Sequence, residues 1–287
     1  MSERDERSQS DDSLGFRRIT VRDPKPLLET IKTFESVHAI RDCRDLKDRL
    51  DGDRRLYALF PPDKPNDPLA FVSVALVKGM AGDVRALLER REGAGDPTLA
   101  DSAIFYSINR VHVGLTRKDF GHSLIVASLR ELPCEFPNLK LFATLSPIPG
   151  FRGWLDRNGG TLSSADGQTL VALDEMGQEI EGLKDRLLRL CARYLVEPRQ
   201  AARRSGRVID PVAHFHLSNG ASIERLNWWS DPSPKGIAQS AGITVNYLYD
   251  RSSVDANRAA YRERGEIRRS PEFAHLLDDG CRTLGEK

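Results

Sequence analysis

The order of elements along this chain predicts a mixed α/β (α+β) fold, and three observations carry that prediction. Arg54–Phe60 and Leu69–Val77 are apolar, strand-like runs on either side of a turn rich in proline and aspartate, Asp63 to Pro68. Ser102 to Leu145 then reads strand, loop, helix, strand, a crossover that joins parallel strands and is right-handed. With 287 residues, 39% hydrophobic and 30% charged, the chain is long and apolar enough to bury one large core.

The first residues, to about Leu14, are polar, acidic and serine-rich, and are expected to be disordered. Pro26–Phe34 has Leu27, Leu28, Ile31 and Phe34 at helical spacing, with Pro26 in the first turn, where its missing N–H costs nothing. Asp42–Leu50 reads as a second helix. Asp83 is placed as the N-cap of a helix to Arg91. Ser102–Ile108 is a strand, Gly114–Gly121 a loop between glycines, and His122–Leu132 a helix. Leu139–Leu145 is a strand that ends at Ser146, where Pro147 and Pro149 are expected to stiffen the chain and stop the sheet. Phe151–Asn158 and Gln178–Val196 read as helices, and Arg199–Asp210 as a basic loop. Val212–Leu217 reads as a strand, as does Ile243–Asp250. Pro232–Ala241 and Val254–Arg264 read as helices.

The formal net charge of +1 provides no global field for nucleic acid or an anionic membrane surface, and neither is expected as a partner. The most apolar run, Leu69–Val77, is too short to span a bilayer. Cys43, Cys134, Cys191 and Cys281 are scattered with no CxxC pair, which argues for thiols in a cytoplasmic protein and against a zinc site.

Four segments bear on chemistry. The loop Gly114-Leu115-Thr116-Arg117-Lys118-Asp119-Phe120-Gly121 precedes a helix, and helix N-termini suit phosphate groups; a plain connection with surface charges is the competing reading. Ser146 has no nucleophile elbow around it, yet its prolines imply a fixed hydroxyl. On a strand, His214 and His216 share a face, which permits a metal pair, a catalytic histidine with its support, or two structural histidines. The arginines of Arg199–Arg207 read as solvated surface or a phosphate contact. Trp228-Trp229 reads as core rather than as a stacking platform.

These motifs also carry a likeness. Phe105–Ile108 (FYSI), Leu145–Phe151 (LSPIPGF), Phe215–Ala221 (FHLSNGA) and the run Arg225–Tyr249 resemble the malonyl-CoA decarboxylase family, over about Phe16 to Tyr261. The resemblance implies a catalytic domain of the GNAT acetyltransferase fold, in which two central strands splay to admit CoA. It implies conversion of malonyl-CoA to acetyl-CoA and CO2, with no added cofactor or metal. It places the family's serine and histidine on Ser146 and His216. It assigns substrate binding to Ser107, Tyr249 and the cradle of Thr116, Arg117, Lys118, Asp119, Phe120, Gly121 and His122. Arg117 stands where relatives usually have glycine. Relatives also carry a helical N-terminal domain, of which only the end would fall here. The division expected is a tail at 1–15, a helical remnant at 16–52, the catalytic domain at 53–270 and a tail at 271–287, with malonyl-CoA as ligand and a homo-oligomer or a separate helical-domain partner. The competing functions are an acyl-CoA-dependent N-acyltransferase and a non-catalytic malonyl-CoA-binding protein.

Overall fold

A computed structural model describes residues 14–89, 96–111, 120–158, 183–197 and 208–278. The chain divides into two compact units, the first made of residues 1–81 and 86–143, the second of 82–85 and 144–287.

The first unit holds β1 (Gly15–Ile19), α1 (Lys25–Phe34), α2 (Cys43–Asp48), β2 (Arg54–Phe60), β3 (Ala70–Val77), most of α3 (Val84–Leu88), β4 (Ser102–Arg110), α4 (Phe120–Glu135) and all but the last residue of β5 (Leu141–Thr144). Strands β1 to β4 pair in sequence order, each antiparallel to the next. β5 lies beside β4. The Lys140 and Leu141 N–H groups donate to Asp101 O at 2.8 and 3.1 Å, so both strands begin at the same end and run parallel, as the crossover requires. The sheet is therefore mixed.

Sequence and structure agree closely where apolar patterning is strong. β2 covers Arg54–Phe60 as expected and is buried along its whole length. In α1 Leu27 and Ile31, one turn apart, are buried, and they join Leu46, Leu50, Leu56, Phe60 and Phe71 in one apolar cluster. Burying each such side chain contributes about 1.5–3 kcal/mol. Asp42 caps α2 by accepting from Arg44 N and Asp45 N.

One segment of this unit differs from its expectation. Gly15–Ile19, with Gly15 expected in the tail and Phe16–Ile19 in a helical remnant, is a strand paired with Ile19↔Leu56 and Phe16↔Leu59. Its two arginines hide the signal. Arg17 lies over the Phe60 ring at 4.6 Å and pairs with Asp23 at 2.5 Å, so its stem covers apolar surface while its charge is matched.

The second unit holds β6 (Ser146–Pro147), α5 (Phe151–Asn158), α6 (Lys184–Val196), α7 (Pro211–Ser218), β7 (Ser222–Asn227), α8 (Pro234–Ser240), β8 (Thr244–Leu248), α9 (Val254–Arg264) and α10 (Pro271–Asp278). β8 is central here: Thr244 faces Asn227 of β7 on one side and Pro147 of β6 on the other, both antiparallel. α10 lies within the stretch expected as a C-terminal tail, and Phe273 anchors it with no exposed surface.

Trp154 of α5 packs on Phe151 and Tyr194 and donates its indole N–H to Glu197 at 2.9 Å. Trp228 and Trp229, expected in the core, are half-buried. Trp229 has φ of 48° and lies against Gly242, where an added Cβ would come within 2.9 Å of its ring. Gly242 also has φ of 74°, so two requirements keep that position glycine.

Candidate active site

The strongest correction concerns the segment that bears the histidines. Val212–Leu217 alternates apolar and polar residues and reads as a strand, but Pro211–Ser218 is the helix α7. The cause lies just upstream. Asp210 accepts from Val212 N and Ala213 N at 2.9 Å each, and Pro211 sits where its lost N–H is free of cost. Two positions on a helix are separated by about 200°. The imidazoles therefore do not share a face, and the metal-pair reading falls. His214 Nδ1 meets Tyr261 Oη at 2.9 Å, while His216 turns inward.

The second correction concerns Ser146. The prolines do not exclude it from the sheet: Ser146 pairs with Val245 and Pro147 with Thr244. The segment is only two residues long, which limits what the missing proline N–H costs. The loop is fixed instead by the Ile148 N–H, which donates to Ser240 Oγ at 2.9 Å.

These placements bring Ser146 and His216 together. Ser146 Oγ lies 3.2 Å from His216 Nε2 and 2.8 Å from Thr144 Oγ1. Strand periodicity puts the hydroxyls of Thr144 and Ser146 on one face. Thr144 Oγ1 also accepts from Tyr247 N at 3.1 Å. His216 Nδ1 lies 2.8 Å from Tyr249 Oη. The Ser146 hydroxyl donates to Thr144, so His216 Nε2 is the donor to Ser146 Oγ. A neutral imidazole carries one N–H, so Nδ1 accepts from Tyr249. The ring is gripped from its faces too: Tyr247 stacks on it at 4.6 Å and 23°, and Phe215 meets it edge-on at 5.0 Å.

Ser146, His216 and Tyr249 are all buried, at 5%, 4% and 1% exposure. Burial drives the His216 imidazole down to about 3, so the ring is neutral near pH 7. Burial likewise pushes the Tyr249 phenol well up, so it keeps the proton it donates. The site is thus a chain of uncharged groups: backbone N–H, two hydroxyls, imidazole and phenol.

An amide network anchors the strand end. Asn246 Nδ2 donates to Thr144 O at 2.6 Å, while Asn246 Oδ1 accepts from Asn227 Nδ2 at 2.8 Å and Arg225 Nε at 3.1 Å. Thr144, Asn246, Tyr247 and Asp210 escaped the sequence reading. Two signals were available: the period-two pairs Thr144/Ser146 and Tyr247/Tyr249, and the Asp-Pro step that announces a helix start.

In the first unit, Ser107 is buried and its hydroxyl donates to both Glu35 oxygens at 2.7 Å. Phe120, Gly121 and His122 form the first turn of α4. Thr116, Arg117, Lys118 and Asp119 lie outside the described residues, as do Arg199–Arg207.

Comparison with known proteins fixes first the class and then the family. The fold resembles the loading GNATL domain of CurA from Lyngbya majuscula, with a TM-score of 0.50 at 14% identity, over 83% of this chain and 98% of that one. This places the chain in the GNAT-like fold class. A family model described as malonyl-CoA decarboxylase C-terminal domain matches residues 13–286, and the chain belongs to that family. The crystal structure of malonyl-CoA decarboxylase from Rhodopseudomonas palustris superposes with a TM-score of 0.84 at 38% identity, over 93% of this chain and 66% of that chain. The mitochondrial malonyl-CoA decarboxylase of the goose Anser anser anser is 33% identical, over 92% of this chain and 58% of its own length. The chain therefore spans little more than half of that relative.

Proposed function

We propose that this chain decarboxylates malonyl-CoA to acetyl-CoA and CO2, with His216 as the proton donor and Ser146 as its partner. The observation that carries the reading is the buried contact of 3.2 Å between Ser146 Oγ and His216 Nε2.

The bond between the malonyl α-carbon and its carboxylate carbon breaks. The electron pair passes into the thioester carbonyl, giving an enolate as CO2 leaves. His216, which takes up the proton that the reaction consumes once the anionic substrate is bound, then delivers its Nε2–H to the α-carbon and is left a neutral imidazole. The thioester itself is the electron sink, so no step is routed through a metal or cofactor. Donors aimed at the developing enolate oxygen are worth about 10²–10³ in rate, and a positioned acid about 10²–10⁴.

The neutral ring suits this task. An imidazole held at about 3 does not form a standing ion pair that would over-stabilise the bound carboxylate. An anionic substrate beside Nε2 raises the ring's affinity for the proton that the reaction consumes. Tyr249, donating to Nδ1, keeps the N–H on the side of Ser146. The Ser146 hydroxyl orients the carboxylate and holds the imidazole in register.

We assign the CoA pyrophosphate to the start of α4, with Phe120, Gly121 and His122 and the preceding Thr116–Asp119, and an auxiliary substrate contact to Ser107. Among the described residues no helix is long and apolar enough to cross a membrane. We place the protein in the cytoplasm on its scattered thiols.

Incubation of the purified protein with malonyl-CoA alone, followed by mass detection of acetyl-CoA and CO2, tests the reading. Release of both without an added amine is expected. Acyl transfer only when an amine is supplied, or saturable binding with no acetyl-CoA formed, would overturn it.

A further inference from the structure

Ser146 and His216 come from segments far apart in sequence, and a contact of 3.2 Å between them needs something that holds both. One side chain does. Asp210 Oδ1 accepts from Val212 N and Ala213 N, at 2.9 Å each, and so fixes the start of α7, the helix that carries His216. Asp210 Oδ2 accepts from Gly150 N at 3.4 Å, four residues after Ser146, and from Tyr194 Oη at 3.1 Å. The carboxylate is fully buried, and burial raises its proton affinity while these donors oppose the rise.

We propose that Asp210 is a positioning residue that sets the distance between the Ser146 hydroxyl and the His216 imidazole by holding both segments that carry them. This rests on the decarboxylase reading of that pair and names the group that aligns it.

A carboxylate is required because four donors converge on two oxygens. An asparagine has one acceptor oxygen, enough to cap α7. Its NH2 then faces Tyr194, which can turn its hydroxyl to accept, and Gly150 N–H, which cannot. Asp210→Asn thus keeps the cap and loses the tie to the serine segment. Gly150 and Tyr194 form the other half of the device. A Cβ at position 150 would overlap the Tyr194 hydroxyl, so Gly150→Ala displaces the group that shares Oδ2.

The test uses the full chain in the malonyl-CoA assay, with His216→Asn as reference. Asp210→Asn is expected to lower kcat by about tenfold or more while KM stays within about twofold, since misplacement near 1 Å can cost about 10² in rate. The His216 ring nitrogen resonances should shift in the same variant, a change that a loss of bulk stability alone would not give. Wild-type kcat with unshifted ring signals in Asp210→Asn overturns the proposal. Turnover surviving in His216→Asn overturns the decarboxylase reading itself, whereas loss there with full activity in Asp210→Asn sinks only the positioning role. If Asp210→Asn does not fold, a second pair decides. Gly150→Ala should be impaired, and adding Tyr194→Phe, which removes the overlapping hydroxyl, should restore part of kcat. No recovery in the double variant overturns the proposal.

Discussion

Among the described residues, each unit buries a polar cluster around a serine, and these two are built on opposite principles. In the first unit, Glu35 accepts from Ser107 Oγ at 2.7 Å, Val37 N at 2.9 Å and His38 N at 3.0 Å. Asn109 donates to Ser107 at 2.7 Å and accepts from Ser36 N and Oγ. The donors there converge on the Glu35 carboxylate, directly or through Ser107, so the cluster is a lock between the end of α1 and β4. In the second unit the chain Thr144–Ser146–His216–Tyr249 holds no formal charge, and each link can act as donor or acceptor. Buried polarity ends in rigidity when one carboxyl group collects the donors. It permits proton transfer when the members can reverse their roles.

Substitutions can break that contrast. The largest effect is expected for His216→Asn, which removes the proposed proton donor. Turnover should fall by about 10²–10⁴. Binding of malonyl-CoA, followed by calorimetry, should persist. Ser146→Ala comes next, with a loss in kcat of about 10² from an imidazole and a carboxylate no longer held in register; steady-state kinetics with mass detection reads it.

A pH experiment sharpens the comparison. The imidazole value is about 3 in the folded protein and 6.5 when unfolded, so between these limits the unfolded chain binds the extra proton. Stability therefore rises with pH across that window and is lost as pH falls from 6.5 toward 3. Between pH 6.5 and pH 5 the loss should be about 2 kcal/mol, measured by urea unfolding. The same series on His216→Asn should be flatter. The smallest effect is on the lock. Glu35→Ala removes the acceptor of the buried Ser107 hydroxyl and of two half-buried backbone N–H groups and should lower unfolding stability by about 1–3 kcal/mol, read from a shifted urea midpoint.

The fold was legible where one physical signal dominated. The apolar run of β2, the proline turn before β3 and the helix Val254–Arg264 match their expected bounds. The pairing of Ser146 with His216 came from motif likeness, and the geometry that makes it plausible did not. Alternation in Val-Ala-His-Phe-His-Leu pointed to a strand, yet the cap at Asp210 outweighed it, because capping acts on amides that periodicity ignores. Thr144 and Tyr247 were legible only as the period-two partners of Ser146 and Tyr249, and Asn246 escaped because it acts on a backbone carbonyl, Thr144 O, on a strand distant in sequence. The strand at Gly15–Ile19 was hidden by arginines whose stems do the packing.

All three tryptophans of the chain, Trp154, Trp228 and Trp229, fall in the second unit. Indole emission is consequently a private optical channel for the half that carries Ser146 and His216, while far-ultraviolet dichroism sums over both halves. Denaturation traces from the two signals coincide if the halves melt together and separate if one yields first.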